Sequence, residues 1–319
     1  MIDKILRRQE FLSKPPVLLD IGASGGINKK WSPIAKYSVC IACDADSREF
    51  GFVSNCKDYK KLFIINKICK ANDKDRNDFY LTRSPYCSST LMPDTEKLAN
   101  WEFSSLFDVV SCSQLPSMQM ADLQSETGIT YVDYFKTDSQ GTDLRLFTSL
   151  CEDVRRHVLA AEFEPGIMDA YKGEDKLAAV LSYMEDSGFW VSGLTICGVK
   201  RIRPELFTAK EKKLLYYIIP KSPGWGEFTF LTNLEDSIFT IREYLLAWIF
   251  AFINKQYGFS MEIISKGKEK FSDEIWDELY DYTQKTIKEE FRHLFTKRIA
   301  FFIHRWVDKL FKTNYIQEY

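Results

Sequence analysis

Short apolar runs that end in acidic or polar residues recur through the first two-thirds of the chain. Val17-Leu18-Leu19-Asp20 and Val39-Cys40-Ile41-Ala42-Cys43, closed by Asp44, are continuous rather than alternating, which is the pattern of strands buried on both faces. Leu62 to Ile65 is a third such run. Tyr131 to Phe135 leads into Lys136-Thr137-Asp138, and Val158 to Ala161 leads into Glu162-Phe163-Glu164. Helical periodicity fills the gaps over residues 2–13, Asp143–Cys151 and Asp175–Ser187; Pro15-Pro16 stops the first and Gly188 the last. Trp190–Cys197 predicts a further strand. Phe228–Leu231 predicts the last one, after the turn-rich Ser222-Pro223-Gly224-Trp225-Gly226. Strands that alternate with helices specify an α/β fold with a doubly wound, Rossmann-like sheet. Beyond about residue 235 the strand signal stops, and 235–257 and 272–312 carry aromatics at helical spacing. Two regions are therefore expected: an α/β domain over 1–235 and a helical region over 236–319.

Candidate chemistry gathers at strand ends. Asp20-Ile21-Gly22-Ala23-Ser24-Gly25-Gly26 follows the first strand, where an open α/β sheet binds ligands and where glycine lets the backbone turn and approach them. Gly22-Ala23-Ser24 breaks the G-x-G of a dinucleotide fingerprint, and an acidic residue at the strand end suits a cationic ligand better than a pyrophosphate. Asp44 ends the second strand, placed to accept both ribose hydroxyls of an adenosine, with Asp46 close enough to share or to cap a helix. Lys136-Thr137-Asp138-Ser139-Gln140-Gly141 supplies a base in Asp138 and an orienting cation in Lys136, although Ser139 and Asp143 also suit a helix cap. Glu162 and Glu164 are expected on opposite faces, so that only one meets the cleft. Ser88, Ser89 and Tyr86 fall in a loop that could reach the acceptor.

Composition narrows the classes. Among 319 residues, 45% are hydrophobic and 28% charged, as in an ordinary globular protein, and a net charge of −2 gives no general attraction to nucleic acid. Eight cysteines are dispersed, and the Cys40/Cys43 pair lies in a strand without the second pair a zinc site needs, so structural thiols are expected. The N-terminus lacks a signal-peptide core, and the longest apolar run, Tyr244 to Ile253, is too short to span a bilayer, which predicts a cytoplasmic protein. Segment 285–312 interleaves basic residues with Phe291, Phe295, Phe302 and Trp306. Such a stripe suits a membrane surface or a glycan. Its width favours packing, together with Trp248 and Phe252, on the α/β domain or on a second copy in a homo-oligomer.

Five segments together carry a family resemblance: Leu19 to Gly26, Asp44-Ala45-Asp46, Ser88-Ser89-Thr90-Leu91, Tyr134 to Gly141, and Ala161-Glu162-Phe163-Glu164. In these, over about residues 15–235, the chain resembles the FkbM-type methyltransferases, a branch of the class I S-adenosylmethionine-dependent enzymes. The resemblance implies a seven-stranded sheet whose last strand is antiparallel, and methyl transfer to a hydroxyl, often on a sugar or polyketide. It places Asp20, Gly22, Ala23 and Gly25, with Ser24 in the same loop, at the methionine end of the cofactor. It also places Asp44 on the ribose and Asp138 beside the transferring methyl. Two departures stand out: Asp44 replaces the usual Glu followed by Pro, and the helical region lies outside the common domain.

The expected function is O-methylation of a sugar, glycan precursor or similar small acceptor. Asp138, Lys136 and Glu162 are assigned to catalysis, and Ser88, Ser89 and Glu164 to the acceptor. No histidine is well placed as base, since His157 precedes a strand and His293 and His304 lie in the terminal helices. A divalent metal is compatible with this chemistry, but no ligand cluster calls for one. The competing readings are a non-catalytic methyltransferase-like module and an NAD(P)-linked nucleotide-sugar enzyme.

Overall fold

The computed structural model describes residues 1–23, 26–46, 58–71 and 78–313, with side chains through Phe295. The expected cofactor residues Ser24 and Gly25 lie outside the described residues. The chain divides into two compact units, Ile2–Asn254 and Lys255 onward. The first unit thus includes the helix Ile241–Ile253, beyond the boundary expected at residue 235.

Eleven strands are described: β1 (Val17–Ile21), β2 (Val39–Cys43), β3 (Lys61–Ile65), β4 (Ile68–Lys70), β5 (Asp78–Thr82), β6 (Val109–Gln114), β7 (Ser117–Gln119), β8 (Tyr134–Thr137), β9 (Ala160–Phe163), β10 (Phe189–Val199) and β11 (Ser222–Thr232). Seven form the central sheet in the order β10-β11-β9-β8-β1-β2-β3. The pairs β3–β2, β2–β1, β1–β8 and β8–β9 are parallel, whereas β11 runs antiparallel to both β9 and β10. The expected α/β class and mostly parallel sheet are present. Every residue of β1 and β2 is buried, which explains why both are apolar throughout except for Asp20 in β1. Cys40 and Cys43 are buried within β2 and are not joined in a disulfide. From β1 the chain winds outward to β3 and then crosses back to β8 on the other side of β1. The carboxyl ends of β1 and β8 therefore border the switch point.

Local signals misplace several boundaries. The N-terminal helix is two, Ile2–Leu6 and Gln9–Ser13, separated by extended backbone at Arg8. Asp143–Cys151 likewise stops at Thr148, and a second helix runs Glu152–Arg156. The turn-rich Ser222–Gly226 is the first half of β11, where Gly226 pairs with Ile196 and Trp225 with Cys197. Pairing with a long neighbour outweighs turn propensity here. The register slips between Cys197 and Gly198, the latter opposite Pro223, which cannot donate to the ladder.

At the amino ends of the strands, one buried ion network joins β1, β8 and the helix Ile241–Ile253. Arg242 donates from both terminal nitrogens to Asp133, each at 2.8 Å, and reaches Glu243 at 2.9 Å. Asp133 also accepts the Val17 N–H at 2.8 Å. Burial alone would raise the Glu243 carboxyl, but the Thr240 cap and Arg242 more than offset it and hold it down at about 2.

In the second unit, the helices Tyr257–Lys270 and Ile275–Thr313 pair; the first falls within the expected helical region but between its two aromatic-rich segments. Gly267 lies against Trp276, where a Cβ would stand 2.7 Å from the indole. A 14-residue helix is about 21 Å long and a 39-residue one about 58 Å, so the shorter cannot cover the longer. Phe291, Leu294 and Phe295 are accordingly exposed in the single chain; Trp248 is fully buried, and the side chains of Phe302 and Trp306 lie outside the described set. No helix among the described residues is long and apolar enough to cross a membrane.

Removing one partner of a buried pair strands the other charge. Asp133→Ala is expected to cost about 3–5 kcal/mol in urea unfolding, whereas a loss below about 1 kcal/mol would show that the network does not hold this end of the sheet.

Candidate active site

The loop after β1 is stitched to its neighbours by backbone. Gly22 and Ala23 donate to the Cys43 carbonyl at 2.9 and 3.2 Å, and the Asp138 N–H donates to Ile21 at 2.9 Å. Gly22 has φ of 79°, and a Cβ there would overlap the Asp138 carbonyl oxygen. Only glycine fits both the conformation and the contact.

Beneath this loop, Asp20 is fully buried and accepts Lys136 Nζ at 2.7 Å and the Asn28 N–H at 3.3 Å. Burial pushes its carboxyl up against the pull of Lys136. Burial would lower Lys136, but the Asp20 and Asp138 charges outweigh it and raise the ammonium. The two groups form a matched pair. Asp20 and Ala23 therefore support the cleft from below instead of lining it, and the Lys136 charge is engaged rather than free to orient an acceptor.

The cleft itself is walled by Gly22 after β1, Asp44 and Asp46 after β2, Lys67 to Cys69 after β3, and Asp138 to Gln140 after β8. Counted out to its open mouth, solvent included, the space is about 680 Å³. Ile68, Phe79 and Leu146 give it apolar surface beside the acids. Asp44 is fixed by the Asp46 N–H on its carboxylate at 2.7 Å and by Asn66 on its carbonyl at 2.8 Å.

Asp138 borders this cleft and two adjoining cavities. One is polar, with Lys30, Lys136, Glu162 and Glu227; the other is aromatic, with Phe103, Phe107, Tyr171 and Trp225. Gln140, in the left-handed region at φ 56°, donates to Asp138 at 2.5 Å. The Tyr171 hydroxyl lies 3.1 Å from Gln140 Oε1 and 2.8 Å from the Cys87 carbonyl. Glu164 is hydrogen-bonded to Asp138, and burial followed by the Asp138 charge pushes its carboxyl up to about 9. Its protonated form is thereby favoured.

Both Glu162 and Glu164 meet the cleft region, which corrects the expectation that only one would. Side chains two apart along a strand share a face. Glu162, however, accepts Tyr134 Oη at 2.6 Å and Asn28 Nδ2 and Lys30 Nζ at 2.9 Å, so it anchors the 26–31 segment and is no free base. Ser88 and Ser89 are likewise committed to the protein. Ser88 Oγ accepts the Thr82 N–H at 3.1 Å, while Ser89 Oγ donates to the Gln140 carbonyl at 2.8 Å and accepts from Leu91. Asp143 does more than cap its helix. Buried, with its carboxyl pushed up to about 6 by desolvation, it accepts from Thr137 Oγ1, from the Ser139 N–H and hydroxyl, and from the Glu164 N–H.

Gln140, Tyr171, Trp225 and Glu227 escaped the sequence reading. Gln140 stood within the quoted motif and could have been found there; the others lie in segments with no motif. Among the described residues no group of three His, Cys, Asp or Glu side chains is arranged to hold a metal ion. Neither a scan of protein-family models nor a search of curated proteins finds a match to this chain.

Two tests follow from this geometry. Gly22→Ala should lose roughly 1–3 kcal/mol of stability; wild-type stability would refute the close approach. For Glu164, the folded value of about 9 lies above the ordinary 4.5, so its contribution is complete below about pH 4.5 and fades as pH rises towards 9. Glu164→Gln stays neutral throughout. Its unfolding free energy should fall less than the wild type's between pH 5 and 9, by about 1 kcal/mol or more, and parallel curves would rule out the buried acid.

Proposed function

We propose that the chain is an S-adenosylmethionine-dependent methyltransferase that acts on a hydroxyl of a sugar, glycan precursor or similar small acceptor. The observation that carries this reading is the pairing of Gly22 and Asp44 across one cleft at the switch point of the sheet. Two further features support it: the resemblance to FkbM-type enzymes, and a last sheet strand that runs antiparallel, as that resemblance implies. An adenosine fits the donor set, with its ring against Ile68 and Phe79 and its diol on Asp44, assisted by Asp46. The short loop over a buried acid offers a pyrophosphate little, which weighs against the NAD(P)-linked alternative.

A sulfonium methyl is already activated, so the protein must chiefly align an acceptor oxygen and take up its proton. Asp138 borders cofactor and acceptor cavities alike and is the base. Gln140 and Tyr171 fix its orientation, and protonated Glu164 moderates its charge. The aromatic cavity with Trp225, Phe103 and Glu227 suits the apolar faces and hydroxyls of a sugar ring.

Calorimetry should find S-adenosylhomocysteine bound at micromolar Kd, roughly −8 kcal/mol, and NAD not bound. Asp44→Ala should weaken that binding by about 1.5–3 kcal/mol; unchanged affinity would sink the ribose assignment. Asp138→Asn should keep the ligand yet lower turnover by roughly 10²-fold or more. Loss of binding with turnover per bound cofactor unaltered would move Asp138 to the cofactor site instead.

A further inference from the structure

Between β10 and β11 the chain leaves the sheet at Val199 and returns at Ser222, two residues that pair across the strands. The excursion carries the helix Ala209–Ile218, in which no side chain is buried. Thr208 and Glu211 close its first turn with a reciprocal capping box, so the helix is held by its own end rather than by packing. Its apolar side faces outward. Leu214, Tyr217 and Ile218, spaced to share one side, are 58%, 76% and 74% exposed, and Leu206 and Phe207 just ahead are exposed as well. Helices of globular proteins turn such a side to the core. A contiguous apolar patch left in water marks an interaction surface.

Charge identifies what covers it. Residues 200–213 contain Lys200, Arg201, Arg203, Lys210, Lys212 and Lys213 against only Glu205 and Glu211, in a chain whose net charge is −2. Lys200 sits over the Tyr216 ring, 3.8 Å from its centre. An apolar tip with two tyrosines and a basic surround matches the interface of an anionic bilayer. There the hydrocarbon side chains enter the acyl boundary, phenols stay at headgroup level and lysines meet anionic headgroups. A second copy of this chain would oppose two basic patches, which repel.

We infer that the Ala209–Ile218 excursion docks the protein on an anionic membrane surface. It springs from the end of the sheet that holds the cleft. Gly224 and Trp225, at the start of β11, wall the aromatic cavity beside Asp138, and Val199 packs with Trp101, Met168 and Tyr171. Docking there turns the cavity's end of the sheet toward the bilayer. The segment is distinct from the basic helix near the C-terminus, and the inference holds whether or not the cleft methylates anything.

The test is sedimentation of the full chain with vesicles of phosphatidylcholine alone and with about 30% phosphatidylserine. Binding to the anionic vesicles that weakens as salt rises is expected. It should fall at least about tenfold in Lys210→Glu/Lys212→Glu/Lys213→Glu and in Leu214→Ser/Tyr217→Ser/Ile218→Ser. None of the substituted side chains is buried, so the thermal midpoint should stay unchanged, and if the serine triplet unfolds, the glutamate triplet gives the same readout. Phe291→Ser/Leu294→Ser/Phe295→Ser should bind like the unaltered chain. Absence of binding to anionic vesicles would overturn the inference, as would binding lost only in the C-terminal triplet. A dimer in light scattering that the Leu214 triplet dissolves would overturn it too.

Discussion

The buried pair of Asp20 and Lys136 is the constraint on which the site depends. The two residues stand directly opposite each other on β1 and β8, so one ammonium–carboxylate contact fixes the relative level of the two strands that flank the switch point. Two positions further along each strand lie Gly22 and Asp138. Their contact is as close as the absence of a side chain permits. Neither charge could remain in that interior without the other, because desolvation of a lone ion exceeds what the surrounding dipoles return. Asp20 reaches outward as well, through the Asn28 N–H, so the segment that begins at Gly26 answers to the same carboxylate.

Above that foundation, buried hydrogen bonds govern the chemistry. Asp143 gathers donors from the ends of β8 and from the Glu164 backbone, which makes the two loops one body. On that body Asp138 receives Gln140, and Gln140 is held by Tyr171. The carboxylate proposed as base therefore has a fixed direction before any ligand arrives, and burial favours the protonated form of Glu164 beside it.

β1 and β2 were legible because burial on both faces demands apolar runs, Val17–Leu19 in β1 and the whole of β2. Strand-end chemistry was legible for the same reason: Asp20, Asp44 and Asp138 interrupt the runs where the topology needs polarity. What stayed hidden depends on partners distant in sequence. Ser222–Gly226 reads as turn because its strand character comes from β10, and Tyr171 and Trp225 announce nothing until the sheet brings them beside Asp138. Ser88 and Ser89 were assigned by type, yet the donors and acceptors around them occupy their hydroxyls.

One feature of β8 has a consequence for how the protein could change over generations. Asp133, just before the strand, belongs to the ion network with Arg242, and Asp138, just after it, belongs to the cleft. A four-residue strand thus separates the anchor from the cleft residue. Effects at sites that share no partner tend to add rather than compound. Residues around the cavities can vary to admit different ligands while the opposite rim keeps the chain folded, so innovation and robustness draw on different side chains of the same sheet.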